Sequence, residues 1–152
     1  MARRYSAVGS DTNTAATTMW SVISATTIRP KIYEILTGSV ATPADNAWEF
    51  VIGRITTAGT STAFTPIALD PADPASLAAV GFNHSAEPTY TANAYLLRIA
   101  GNQRAAVRWI AAPGGELTLP ATAANGAGCL SNAVGGSAVV MTFTIHWEEQ
   151  SD

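Results

Sequence analysis

Acid–base chemistry near neutral pH falls first to imidazole, and the chain has two histidines, His84 and His146. A Ser/His/acid hydrolase needs its imidazole beside a nucleophile, and no turn of the G-x-S-x-G kind surrounds either one. His84 lies in a polar stretch with Asn83 and Glu87, with no second ligand at a metal-binding spacing. His146 falls on the polar side of an alternating run and reads as a surface or interface residue. Asp70 and Asp73 are each followed by proline, which is the pattern of turns and caps and not of a calcium loop. Gly53, Gly114-Gly115 and Gly135-Gly136 lack the lysine or helix start of a phosphate loop. The single cysteine, Cys129, excludes an intrachain disulfide and a cysteine metal cluster, and reads as a small buried or turn residue. The expectation is a protein that is not an enzyme and holds no cofactor and no metal. Replacing either histidine by alanine should then cost no more than about 1 kcal/mol.

Contact chemistry is the other possibility. Trp20, Trp48, Trp109 and Trp147, with Tyr5, Tyr33, Tyr90 and Tyr95, could form a sugar platform. Most of them sit in strand-like runs, which favours core or subunit-interface packing. Arg29, Lys31, Arg54, Arg98, Arg104 and Arg108 are scattered over separate segments, and the net charge is −3. That gives no basic footprint for nucleic acid.

The elements that must position these residues are strands. In the run from Ser137 to Glu149, Val139, Met141, Phe143, Ile145 and Trp147 alternate with Val140, Thr142, Thr144, His146 and Glu148. Side chains of a strand alternate faces, so this is a half-buried strand. Each of its inward residues is worth about 1.5–3 kcal/mol of gross burial. It lies near the C-terminal end of the sequence, so its partners come from far upstream, as in a sandwich or barrel. Ala47 to Thr57 is a second strong strand, and Thr27 to Leu36 a third with Pro30 near its start. Shorter strands are expected over Ala63–Leu69, Tyr95–Ala100, Ala105–Ala111 and Glu116–Leu119, with a weak one near Cys129. Asp73-Pro74 followed by Ala-Ser-Leu-Ala-Ala-Val reads as a cap and one or two helical turns closed by Gly81. Phe82 to Ala92 reads as polar and irregular. The fold expected is all-β: a jelly-roll-like antiparallel β-sandwich of about eight strands, with one short helix in a connection.

Two segments follow: an N-terminal arm over 1–19 and a single sandwich domain over 20–152. No apolar stretch approaches the length of a membrane span, and no secretory signal core follows Arg3 and Arg4. Charged residues are only 12% of the chain while hydrophobic ones are 47%. A surface so poor in charge repels its neighbours weakly and favours assembly.

In style the chain resembles the small bacteriophage structural proteins of the head-decoration, or cement, kind. The resemblance is carried by Met-Ala-Arg-Arg-Tyr, the Thr-rich lead to Trp20, Ile28-Arg29-Pro30-Lys31-Ile32-Tyr33-Glu34-Ile35, Asn46-Ala47-Trp48-Glu49-Phe50 and the terminal Phe-Thr-Ile-His-Trp-Glu-Glu. It implies a virion structural protein, made in a host bacterial cytoplasm and bound to the outer capsid surface. Its partners would be the major capsid protein and other copies of itself, a homotrimer above all, with no nucleic acid and no membrane. The contact residues expected are Arg3, Arg4, Tyr5, Trp20, Trp109 and His146, with the arm as a tether to a neighbour. A tail or fibre component, a carbohydrate-binding sandwich and a small enzyme on a β-scaffold are the alternatives. An exposed row of Trp or Tyr would favour sugar binding, and a pocket joining His84 or His146 to an acid would favour the enzyme.

Overall fold

The C-terminal alternation forms a strand from Val140 to Glu149 in which Met141, Phe143, Ile145 and Trp147 are buried and their neighbours are half-exposed. The computed structural model describes residues 2–150; Met1, Ser151 and Asp152, at the outer ends of the two expected segments, lie outside the described residues. Twelve strands follow in chain order: β1 (Arg3–Thr12), β2 (Thr18–Ile23), β3 (Lys31–Ser39), β4 (Ala47–Thr57), β5 (Thr60–Phe64), β6 (Ile67–Ala68), β7 (Ala79–Ala86), β8 (Thr89–Asn102), β9 (Val107–Ile110), β10 (Leu117–Thr118), β11 (Gly126–Val134) and β12 (Val140–Glu149).

They make two antiparallel sheets of six strands each. The first runs β10-β3-β12-β1-β6 with β9 also on β3, and the second runs β5-β7-β2-β11-β4-β8. The wrapping is that of a jelly roll. The ends of the fold pair as β1 with β12, the next strands inward pair as β2 with β11, and β3 and β4 flank β12 and β11 on their far sides. β8 then adds to β4, and β9 and β10 add to β3. β9 and β10 are one strand interrupted by the loop 111–116, since they pair with successive parts of β3, Thr37 to Glu34 and then Ile32 to Lys31. The rest of the excess over eight is an insertion, β5 to β7, between the fourth and fifth jelly-roll strands.

The inner faces of the two sheets meet in one core. Trp20, Trp48, Trp147, Tyr5, Phe50, Phe82 and Phe143 are its largest buried side chains. Phe50 bridges the sheets, edge-on to Phe143 at 5.2 Å and 4.7 Å from Trp48 between ring centroids. This aromatic mass supplies the dispersion and hydrophobic stabilisation that two sheets of small residues could not.

Four expectations are corrected. The helix after Asp73 does not form. Asp70 instead makes a turn, its carboxylate accepting from the Ala72 amide at 2.9 Å and its carbonyl from Asp73 at 3.0 Å. The amides of Leu77 and Ala78 donate to the buried Glu149 carboxylate at 3.0 and 3.1 Å, joined there by the Ser76 hydroxyl. A tertiary acceptor has taken the donors that a helix would need. The arm expected over 1–19 holds β1, paired residue for residue with β12 from Arg3–Glu149 to Thr12–Val140, and the start of β2. Phe82 to Ala92 is not irregular: it contains most of β7 and the start of β8, with Val80 and Phe82 inward. The weak strand near Cys129 is β11, central in its sheet and lengthened to nine residues.

Candidate functional site

The outer face of the first sheet collects side chains from five strands. Cross-strand register sets Glu34 of β3 against His146 of β12, His146 against Ser6 of β1, and Ser6 against Ile67 of β6. Ile110 of β9 stands on the other side of Glu34. The next rows hold Arg108, Leu36, Thr144 and Val8, and then Lys31, Glu148 and Arg4. Residues directly opposite in an antiparallel pair share a face and touch.

Glu34 is the centre of this face. Its Oε2 lies 2.8 Å from His146 Nδ1 and its Oε1 accepts from Arg108 Nε at 2.5 Å. Burial pushes the carboxyl up, but the hydrogen bonds from His146 and Arg108, with their charges, outweigh it and hold Glu34 below the ordinary glutamate range. A bulge between His146 and Trp147 opposes two β12 residues to three of β3, so Tyr33 has no partner of its own in the ladder. Its ring lies 6.0 Å from the His146 ring, and the Arg4 guanidinium sits 5.7 Å from its centroid. Around this neutralised centre stand three exposed apolar side chains: Val8 (58%), Ile67 (64%) and Ile110 (54%). A groove of 420 Å³ between Leu36, Gly38, Arg108, Thr142 and Thr144 continues the face toward the far end of β3.

The outer face of the second sheet is organised around Thr18. Its amide donates to Glu87 Oε2 at 2.8 Å, its hydroxyl meets the Tyr90 hydroxyl at 2.9 Å, and its carbonyl accepts from His84 Nδ1 at 3.1 Å. A carbonyl only accepts, so Nδ1 carries the proton and Nε2 is left to accept from Ser21 Oγ at 3.0 Å. Burial pushes the His84 imidazole below its ordinary value, which favours this neutral form. Tyr90 reaches Thr18 by lying across two glycines: a Cβ on Gly128 would come within 2.5 Å of its hydroxyl, and one on Gly53 within 3.0 Å of its ring.

The Ser21–His84 contact is half of a nucleophile–base pair. The other half is missing. Ser21 is 4% exposed, the second imidazole nitrogen is held by a carbonyl and not a carboxylate, and the Ser21 backbone pairs on both sides, with Gly128 and Gly81. No N–H is left there to stabilise an oxyanion. His84 does border a hollow of 290 Å³ that Asp11 also lines, while His146 meets its acid on an open face. Glu34 has both oxygens engaged and no hydroxyl or thiol nucleophile hydrogen-bonded to it. Among the described residues no three His, Cys, Asp or Glu side chains are grouped to hold a metal ion. Cys129 is buried, and burial raises its thiol well above the ordinary range.

Of the contact residues expected from the sequence, Arg4 and His146 come together on the first sheet's outer face. Arg3 is exposed and borders a 520 Å³ cleft with Asp70 and Asp73. Tyr5 and Trp20 are core residues, 1% and 0% exposed, so neither side chain offers a contact surface. Tyr5 stacks on Trp147 at 5.9 Å and donates to the Pro74 carbonyl at 3.1 Å. Trp109 is half-buried against the core. With Trp20, Trp48 and Trp147 all buried, the tryptophans form no exposed row. The reading from sequence missed Glu34, Tyr33 and Arg108 as partners of His146; alternation placed Glu34 on a face but not opposite His146. Comparison with protein-family models, with curated proteins and with solved structures finds no match for this chain.

Proposed function

We propose that this chain is a non-enzymatic virion structural protein of the capsid decoration, or cement, kind, which binds the outside of a phage head as a homo-oligomer and bridges neighbouring capsid subunits. The observation that carries the reading is the outer face of the first sheet. Val8, Ile67 and Ile110 stand exposed around a carboxylate whose charge His146 and Arg108 already meet. Such a face loses little by desolvation and gains from apolar burial, as contact patches do. The low charge of the whole chain, the jelly-roll fold and the resemblance of its sequence to decoration proteins support the same reading. The partner is then the major capsid protein, with location on the virion's outer surface.

The test is to add the purified protein to expanded heads that lack it, and to measure co-sedimentation and the temperature at which the heads release their contents. Saturable binding with a raised release temperature is the expected result. Binding to tails or to a glycan array, with none to heads, would replace this reading by the tail-fibre or carbohydrate-binding one.

A further inference from the structure

We infer that β8 is a self-pairing edge, joining two copies of this chain across a two-fold axis at Ile99 into one continuous sheet. This goes beyond capsid binding and does not depend on it. Edge strands present unpaired backbone donors and acceptors, and proteins usually keep them short, charged or covered. Most edges here obey that rule. β6 and β10 have two residues each, β9 has four, and β5 has five with its register broken between Thr60 and Thr62. β1 beyond Ser6 carries Asp11 and is backed by the opposite sheet, where the Phe82 ring would sit 2.7 Å from a Cβ on Gly9. β8 is the exception. It runs fourteen residues, pairs only with β4, and from Leu97 to Asn102 has neither proline nor bulge. Its one charge there, Arg98, is drawn back over its own sheet, 3.7 Å from Glu49 and 5.5 Å from the Tyr95 ring centroid.

The occupant follows from matching faces. Ile99 and Leu97 turn inward, opposite Phe50 and Ile52, while Arg98 and Ala100 are exposed. In an antiparallel pair, opposed residues share a face, so inward must meet inward. A two-fold axis at Arg98 would set guanidinium against guanidinium. An axis at Ile99 sets isoleucine against isoleucine, Arg98 against Ala100 of the second copy, and Leu97 against its Gly101. That register joins the two cores, separates the charges and leaves the alternate outward-facing amides and carbonyls of 97–101 satisfied. Two-fold self-pairing also closes on itself and stops at two copies.

Analytical ultracentrifugation of the full chain over a range of concentrations tests this, with Ala100→Arg and the control Ala100→Ser. Ala100 is exposed, so both variants should fold, and circular dichroism checks that they do. The expected result is a dimer for the wild type and Ala100→Ser, and at least a tenfold weaker dimer for Ala100→Arg. Amide exchange of residues 97–101 should slow as the wild-type concentration rises. A wild-type monomer at every concentration, a dimer indifferent to Ala100→Arg, or a trimer without protection of 97–101 would overturn the proposal. Capsid binding is measured separately, so its failure would leave this result standing.

Discussion

The two outer faces of the sandwich each carry one histidine, and they use it in opposite ways. On the first sheet His146 meets a carboxylate, and the surrounding positions are filled by long side chains that reach solvent. On the second sheet His84 meets a hydroxyl and a carbonyl, beside a tyrosine laid flat over glycines. One face displays its groups and the other closes over them. The difference is set by the neighbouring strands: β3 and β12 put bulky residues outward, whereas β11 and β4 put Gly128 and Gly53 under Tyr90.

The sharpest way to break this comparison is to fill the floor of the closed face. Gly128→Ala would place a Cβ 2.5 Å from the Tyr90 hydroxyl and 2.8 Å from Ile55 Cδ1. Tyr90 must then lift, and its bond to Thr18 is lost. Overpacking of this kind costs about 1–3 kcal/mol, and here the upper part of that range is expected because a hydrogen bond goes with it. Urea unfolding measures it. A change under 0.5 kcal/mol would mean that Tyr90 is not held where the closed face needs it.

The two histidines come next. His84→Ala leaves the Thr18 carbonyl and the Ser21 hydroxyl without their partner in a partly buried site, and should cost about 1–2 kcal/mol. His146→Ala leaves Glu34 with Arg108 and should cost less than about 1 kcal/mol. The sequence alone put both within the smaller figure. The pH dependence separates them further. Burial lowers the folded-state value of His84 below that of the unfolded chain, about 6.5. Its contribution to stability is therefore complete above that pH. It is lost as pH falls below about 6.5 and through the lower folded value, because the unfolded state takes up the proton first. Thermal melts of wild type and His84→Ala should converge between pH 7.5 and pH 5.

What could be seen beforehand follows from where the signal is written. β4 and β12 alternate large apolar residues with polar ones, and β4 was bounded from the sequence at Ala47 and Thr57, as it is found. β11 was nearly invisible because its inward residues include Ala127 and Cys129 and its outward ones are glycine, which disfavours strands until a ring from another strand covers it. β1 hid behind Ser, Ala and Gly for the same reason. Glu34 and His146 are 112 residues apart, and Ser21 and His84 are 63 apart, so their meeting depends on sheet order and register. No local spacing encodes that. The missing helix is a local signal overruled by Glu149, which reaches the same amides from 71 and 72 residues away.

The smallest effect on stability tests the open face most directly. Val8, Ile67 and Ile110 are more than half exposed, so the folded chain gains little from them. Replacing each by serine should change stability by no more than about 0.5 kcal/mol, the ordinary range for surface positions. If the face is a contact surface, the same substitutions remove the apolar area that a partner would bury. At about 25 cal/mol per Å² of that area, losing all three should weaken binding to heads at least tenfold. Glu34, His146 and Arg108 would remain as they are, so the charge pattern is untouched. Co-sedimentation of the triple variant, alongside its urea melt, reads both quantities from one preparation. Unchanged binding with unchanged stability would show that the exposed apolar residues are incidental, and the capsid contact would have to be sought on another surface of the sandwich. A large loss of stability would show that these side chains pack more tightly than their exposure indicates, and would remove the distinction between the displayed face and the closed one.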